Sequence, residues 1–125
     1  MPVSYTIEKG YARCPATGNY SFDETFNNYK AALDDPLFLS GYNLLIDIYD
    51  SIETRTYEEM DQIADLLALH PEFGKKCAIL VNPEHAVSYG LARMFGTQAE
   101  MQAIHFAIFS NLDEAVTLQW EHNPP

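Results

Sequence analysis

Apolar and polar positions alternate with a period of two in the first stretch of the chain. Val3, Tyr5 and Ile7 interleave with Ser4, Thr6 and Glu8, which predicts a strand over Val3–Lys9. Gly10 marks a turn, and Tyr11–Thr17 reads as a second strand, so the two should form a hairpin. Pro15 predicts that one side of the second strand is irregular there. The period then lengthens. Phe22, Phe26, Tyr29 and Leu33 form a helical stripe behind a capping box, Ser21-Phe22-Asp23-Glu24. Asp34-Asp35-Pro36 ends that helix.

Leu44-Leu45-Ile46-Asp47-Ile48-Tyr49 is nearly continuous in apolar character, which suits a strand over Asn43–Asp50 buried on both faces. A second capping box, Thr56-Tyr57-Glu58-Glu59, opens a helix carrying Tyr57, Met60, Ile63, Ala64 and Leu67. His70-Pro71 closes it. Cys77–Val81 reads as another central strand, and Asn82-Pro83 as the cap and first residue of a third helix. In that helix Tyr89, Leu91 and Met94 are expected in the core, Gly90 is expected to let it approach the sheet, and Gly96 to end or interrupt it. Ala103–Phe109 should be the fifth strand. Asn111 should cap a last helix with Leu112, Ala115, Val116, Gln119 and Trp120 along one side.

The predicted order is β-β-α-β-α-β-α-β-α. Alternating strands and helices imply a mostly parallel sheet with right-handed crossovers, and the hairpin adds one antiparallel strand. The expectation is a five-stranded mixed α/β sheet with strands in sequential order. Leu44, Ile46, Ile48, Ile79, Val81, Ile104, Phe106 and Ile108 should share the helix-covered face. The other face carries Leu45, Tyr49, Leu80 and Phe109 and needs a cover. The C-terminal segment near Trp120, a second copy in a homodimer, or a partner would supply it.

A chain of 125 residues holds one domain, expected over 1–122 with a loose tail at Asn123-Pro124-Pro125. A net charge of −11 disfavours nucleic acid as a partner. No apolar run reaches the roughly 18–20 residues of a membrane helix, so no membrane insertion is expected. Met1-Pro2-Val3-Ser4-Tyr5 has neither a basic nor an apolar leader region, which predicts a cytoplasmic protein. Cys14 and Cys77 read as small core residues.

The candidate chemistry is sparse. Asp47, Asp50 and Glu53 follow one another at a strand end, where ligands gather in open α/β sheets. Three carboxylates could hold Mg²⁺, but Asp50 and Ser51 suit a turn, and residues three apart on a strand point to opposite faces. No metal site is therefore expected. His70, His85, His105 and His122 lack zinc-ligand spacing. Neither a nucleophile elbow nor a phosphate-cradling loop occurs. No catalytic residue and no cofactor are expected. Tyr89 and Arg93 lie i, i+4 and could make a small polar patch.

The succession Leu44-Leu45-Ile46-Asp47, Thr56-Tyr57-Glu58-Glu59, Cys77-Ala78-Ile79-Leu80-Val81, Tyr89-Gly90-Leu91-Ala92-Arg93-Met94-Phe95, Ile108-Phe109 and Asp113-Glu114-Ala115, with Trp120 behind it, resembles the SpoIIAA-like proteins of the STAS superfamily, relatives of the SEC14 fold. The resemblance implies a non-catalytic regulatory domain that binds a protein partner. Antagonists of that superfamily carry a phosphorylated Ser or Thr after the third-strand Asp, at a helix start. The corresponding stretch here is Ser51-Ile52-Glu53-Thr54-Arg55-Thr56, which departs from the Asp-Ser-Ser or Asp-Ser-Thr pattern. The resemblance thus points to Asp47, Asp50, Ser51, Thr54 and Thr56 as a switch or ligand region. The SEC14 relation implies an alternative, a small carrier of an apolar or lipid-like ligand. A metal-assisted phosphoryl or hydrolytic enzyme using Asp47 and Asp50 ranks last.

Overall fold

Every parallel strand of the sheet runs from a turn at one end to a helix start at the other. The computed structural model describes residues 2–52 and 54–121, with side chains described except at 86–88 and 117–121. The elements are β1 (Thr6–Ile7), β2 (Tyr11–Gly18), α1 (Phe22–Asp34), β3 (Tyr42–Ser51), α2 (Tyr57–Leu69), β4 (Phe73–Leu80), α3 (Ala86–Met101), β5 (His105–Phe109) and α4 (Leu112–Glu121). The sheet order is β1-β2-β3-β4-β5. Only β1 runs antiparallel to its neighbour. The expected tail at 123–125 and the side chain of Trp120 lie outside the described residues.

The first strand is shorter than its alternation predicts. Its ladder is Thr6–Ile7, followed outward by a single bridge between Val3 and Ala16. Pro15 explains the break: its carbonyl accepts from the Ser4 N–H, but it has no N–H to return. The parallel register of β2 on β3 also shifts between Pro15 and Thr17. At the hairpin, the Glu8 N–H donates to the Tyr11 carbonyl, and Gly10 takes a φ of 94° that a side chain would resist.

Both capping boxes form. Ser21 Oγ accepts from the Glu24 N–H at 3.1 Å, and Thr56 Oγ1 accepts from the Glu59 N–H at 3.1 Å. Each glutamate returns a bond to its cap's own N–H. Thr56→Ala should therefore lower stability by about 1 kcal/mol, measurable by urea denaturation.

The start of α3 differs from expectation. Asn82-Pro83 builds a turn instead of a helix start. Asn82 Oδ1 accepts from the Glu84 N–H, and the Asn82 carbonyl accepts from the His85 N–H. Asparagine first and proline second suit a β-turn as well as a helix cap, and the turn wins here. The helix begins at Ala86. Its inward face is also rotated from the predicted one. Ala92, Phe95, Gln98 and Ala99 are buried, while Tyr89 and Met94 are 44% and 43% exposed. Gly90 faces open space, so it permits no close approach. Gly96 does: a Cβ there would sit 2.1 Å from the Phe106 ring, and the helix continues through it. The helix ends at Gln102, where the Ile104 N–H bonds the Ala99 carbonyl and the Ala103 N–H bonds that of Glu100. This is a Schellman closure with Ala103 at φ 62° in the position glycine usually fills. It delays β5 to His105, two residues later than the pattern suggests.

Helices α1, α2 and α3 cover one face. Leu44, Ile46, Ile48, Ile79, Val81 and Ile104 lie in that core, with Phe106 and Ile108 packed against it. Cys14 and Cys77 are free thiols inside the same cluster, and burial pushes both thiols up. The opposite face is covered by α4, which packs on β4 and β5. Leu45, Ala78 and Ala115 form its small core, with Tyr11, Phe109, Leu112 and Val116 against them. The C-terminal segment is thus one cover for the face that needed it.

Candidate functional site

Because β2 to β5 run parallel, the loops leaving them, at 19–21, 52–56, 81–85 and 110–111, gather at one end of the sheet. The sequence-predicted switch region lies at this end, but its members stand in different surroundings. Asp47 is 7% exposed on the α4 side of the sheet. Its carboxylate takes Arg13 Nη2 at 2.8 Å and the Tyr49 N–H at 3.2 Å. Asp50 is exposed. Ser51 is 2% exposed, with its hydroxyl 2.5 Å from that of Tyr20. Thr54 and Thr56 are exposed, and Thr56 is occupied as a helix cap. Glu53 lies outside the described residues. Among the described residues no three His, Cys, Asp or Glu side chains converge to hold a metal ion.

Tyr89 and Arg93 do come together. The Arg93 guanidinium carbon lies 6.0 Å from the Tyr89 ring centroid, the outer range of a cation–π contact.

The pattern missed a cavity of about 50 Å³ beneath this end, between the sheet and α1, α2 and α3. Ile46, Ile48 and Ile79 form its floor, and Met60, Ile63, Ala92 and Phe95 its apolar walls. Tyr20, Thr25, Tyr29 and Arg55 supply polar groups. Arg55 is held in place by several contacts. Its Nη2 donates to the Tyr20 carbonyl at 2.8 Å and to Thr25 Oγ1 at 3.2 Å, and its Nη1 to the Thr54 carbonyl. Its guanidinium carbon stands 4.9 Å from the Tyr20 ring centroid. Tyr29 is 5% exposed, and burial raises its hydroxyl well above the usual tyrosine range, with Arg55 opposing in part. It is a neutral donor at any physiological pH.

A signal for Arg55 was present in the sequence. A cation immediately before a helix N-cap opposes the helix dipole, so its position calls for another reason. Tyr29 gave none, because it sits in phase with the buried stripe of α1.

The cavity also bears on the carrier alternative. An apolar cavity that admits benzene measures about 150 Å³. One of about 50 Å³ has no room for a lipid acyl chain.

Comparison with solved structures gives the fold. The chain superposes on the crystal structure of an uncharacterised DUF3478-family protein with a SpoIIAA-like fold from Shewanella loihica PV-4, with a TM-score of 0.58. The match covers 94% of this chain and 91% of the other. The fold is SpoIIAA-like. At 16% identity the likeness concerns the fold alone. No family model matches the chain, and no curated protein matches it. The SpoIIAA-like arrangement agrees with the sheet order and helix placement that the sequence implied. No helix among the described residues is long and apolar enough to cross a membrane.

Proposed function

We propose that this SpoIIAA-like chain is a non-catalytic regulatory domain that engages a protein partner through the carboxyl end of its sheet. The observation that carries the reading is the exposure of large side chains there. Tyr57 is 58% exposed at the start of α2, Tyr89 is 44% exposed early in α3, and Ile52 between β3 and α2 is 63% exposed. Arg93 lies against Tyr89. Tyrosine and arginine are the residue types that carry binding energy in protein interfaces. The opposite end also exposes apolar residues, Leu37, Leu39, Leu69 and Met101. They are aliphatic, with no arginine among them, which is why the first end is favoured.

Two buried free thiols, Cys14 and Cys77, suit a reducing compartment and support a cytoplasmic setting. The −11 charge argues for a partner with a basic surface, since opposite charge speeds encounter. A photoreactive amino acid placed at Tyr57 or Tyr89 in the cell of origin tests the reading. A discrete protein adduct from both positions is expected, and an adduct of twice the chain mass would make the partner a second copy. Absence of any adduct from either position would refute the assignment of this end.

A further inference from the structure

The two edges of the sheet differ in how they are guarded. A free strand edge is a template for another chain, and proteins blunt it by shortening it or by placing charge or proline there. The β1 edge is blunted: its ladder spans only Thr6–Ile7, and Glu8 and Lys9 follow. The β5 edge is not. His105–Phe109 holds five residues with no proline and no Asp, Glu, Lys or Arg, in a chain of net charge −11. The Val81 N–H bonds the Phe109 carbonyl, so the alternation of a parallel ladder turns the backbone groups of His105, Ala107 and Phe109 toward β4. The N–H and carbonyl groups of Phe106 and Ile108 therefore point away from β4, and no strand lies beyond them among the described residues. Phe106, Ala107 and Ile108 are only half-buried, whereas Cys77, Ala78 and Ile79 beside them on β4 are almost wholly buried.

We propose that β5 pairs antiparallel with the β5 of a second copy of this chain, about a two-fold axis at Ala107. The strand is self-complementary in that register. Phe106 stands opposite Ile108 of the second copy and exchanges both backbone bonds with it, so all four outward groups of each strand find a partner. The Phe106 and Ile108 side chains meet on the α3 side of the sheet, and Ala107 meets its own copy on the α4 side. Charge fits as well. Gln98 and Gln102 bond the Tyr57 carbonyl and Asp65, which turns that side of α3 toward α2. Arg93 and Glu100, both exposed and two turns apart, lie on the opposite side of α3, above the β5 edge. Gly96, between them in sequence, stands against Phe106 and so lies close to the axis. The axis runs α3 antiparallel to its copy, and Arg93 faces Glu100 of the second copy, twice in the dimer. The resulting ten-stranded sheet has the blunted β1 at both ends, which closes the assembly at two chains.

The inference goes beyond the partner-binding reading and stands without it, since the two carboxyl ends point in opposite directions and leave Tyr57 and Ile52 open. Light scattering after size exclusion and amide hydrogen exchange, both on the full chain, test it together. The chain should run at twice its own mass, with a Kd on the order of 10 μM or below. Above that concentration the amides of Phe106 and Ile108 should exchange at least about tenfold more slowly than in the dilute monomer. Arg93→Glu and Glu100→Arg should each weaken the dimer about tenfold, and the two together should restore it. A species of single mass alone at about 500 μM, far above the expected Kd, would overturn the dimer. A dimer without slower exchange at positions 106 and 108 would overturn the pairing of the edge. A double variant no tighter than the single ones would overturn the facing of Arg93 and Glu100.

Discussion

Leu45→Ala should cost about 3 kcal/mol of stability, close to the cost of Leu44→Ala, when both are measured by urea denaturation. The two residues are neighbours on β3 and point to opposite faces of the sheet. Both are fully buried. Leu44 lies under α1, α2 and α3, in the large core. Leu45 lies in the small cluster with Ala78 and Ala115 of α4. Removing either side chain takes away three carbon atoms and leaves a cavity that close packing on both sides resists filling. Were the second face open to water, Leu45→Ala would cost well under 1 kcal/mol, the usual range for surface changes. A cost of that size would show that α4 does not hold the position described.

Gly74→Ala should cost about 2–3 kcal/mol, the overpacking range. A Cβ at this position in β4 would stand 2.3 Å from the Gly41 carbonyl oxygen and 2.5 Å from Asn43 Oδ1. Neither can retreat without loss. Gly41 donates its N–H to the Glu72 carbonyl and holds a φ of 88°. Asn43 Oδ1 accepts from the Lys76 N–H at 3.2 Å. The β3–β4 register also shifts between Tyr42 and Leu44, so the strand entry is built around this close approach. Gly90→Ala is the matching control. Its Cβ would meet open space on an exposed helix face. It should stabilise by up to about 1 kcal/mol through helix propensity. If Gly74→Ala left stability unchanged or raised it, as Gly90→Ala should, the close contact at Gly74 would be wrong.

The architecture was legible because its signals were local and redundant. Two capping boxes each set a helix start, and the short apolar runs at Leu44–Tyr49 and Cys77–Val81 suit interior strands. The misreadings fall where one residue type serves two geometries. Asn82-Pro83 suits a cap and a turn alike, and here the Glu84 and His85 N–H groups both bond to Asn82 and close a turn. Ala103 ends α3 in a left-handed conformation that sequence rules reserve for glycine, so the helix seemed to stop earlier. Along α3 the buried positions Ala92, Phe95 and Ala99 are small or apolar residues at helical spacing, and Tyr89 falls outside that stripe.

The site was less legible than the fold. Asp47 looked like the chemical centre but is paired with Arg13 on the α4 side of the sheet. The polar groups around the cavity, Tyr20, Thr25, Tyr29 and Arg55, come from α1 and the loops before α1 and α2. Thr25 and Tyr29 stand four apart on α1, but Tyr20 and Arg55 join them only through the crossing of chain segments. No period along the sequence can encode such a meeting.

The central claim is that the carboxyl end of the sheet is the working surface. Photocrosslinking from Tyr57 and Tyr89, compared with Leu37 at the opposite end, tests it most directly. Leu37 is 67% exposed, so accessibility does not favour the first two positions. The account predicts the same discrete adduct from positions 57 and 89 and none from position 37. A discrete adduct from position 37, with none from 57 and 89, would contradict it and move the partner surface to the other end of the sheet.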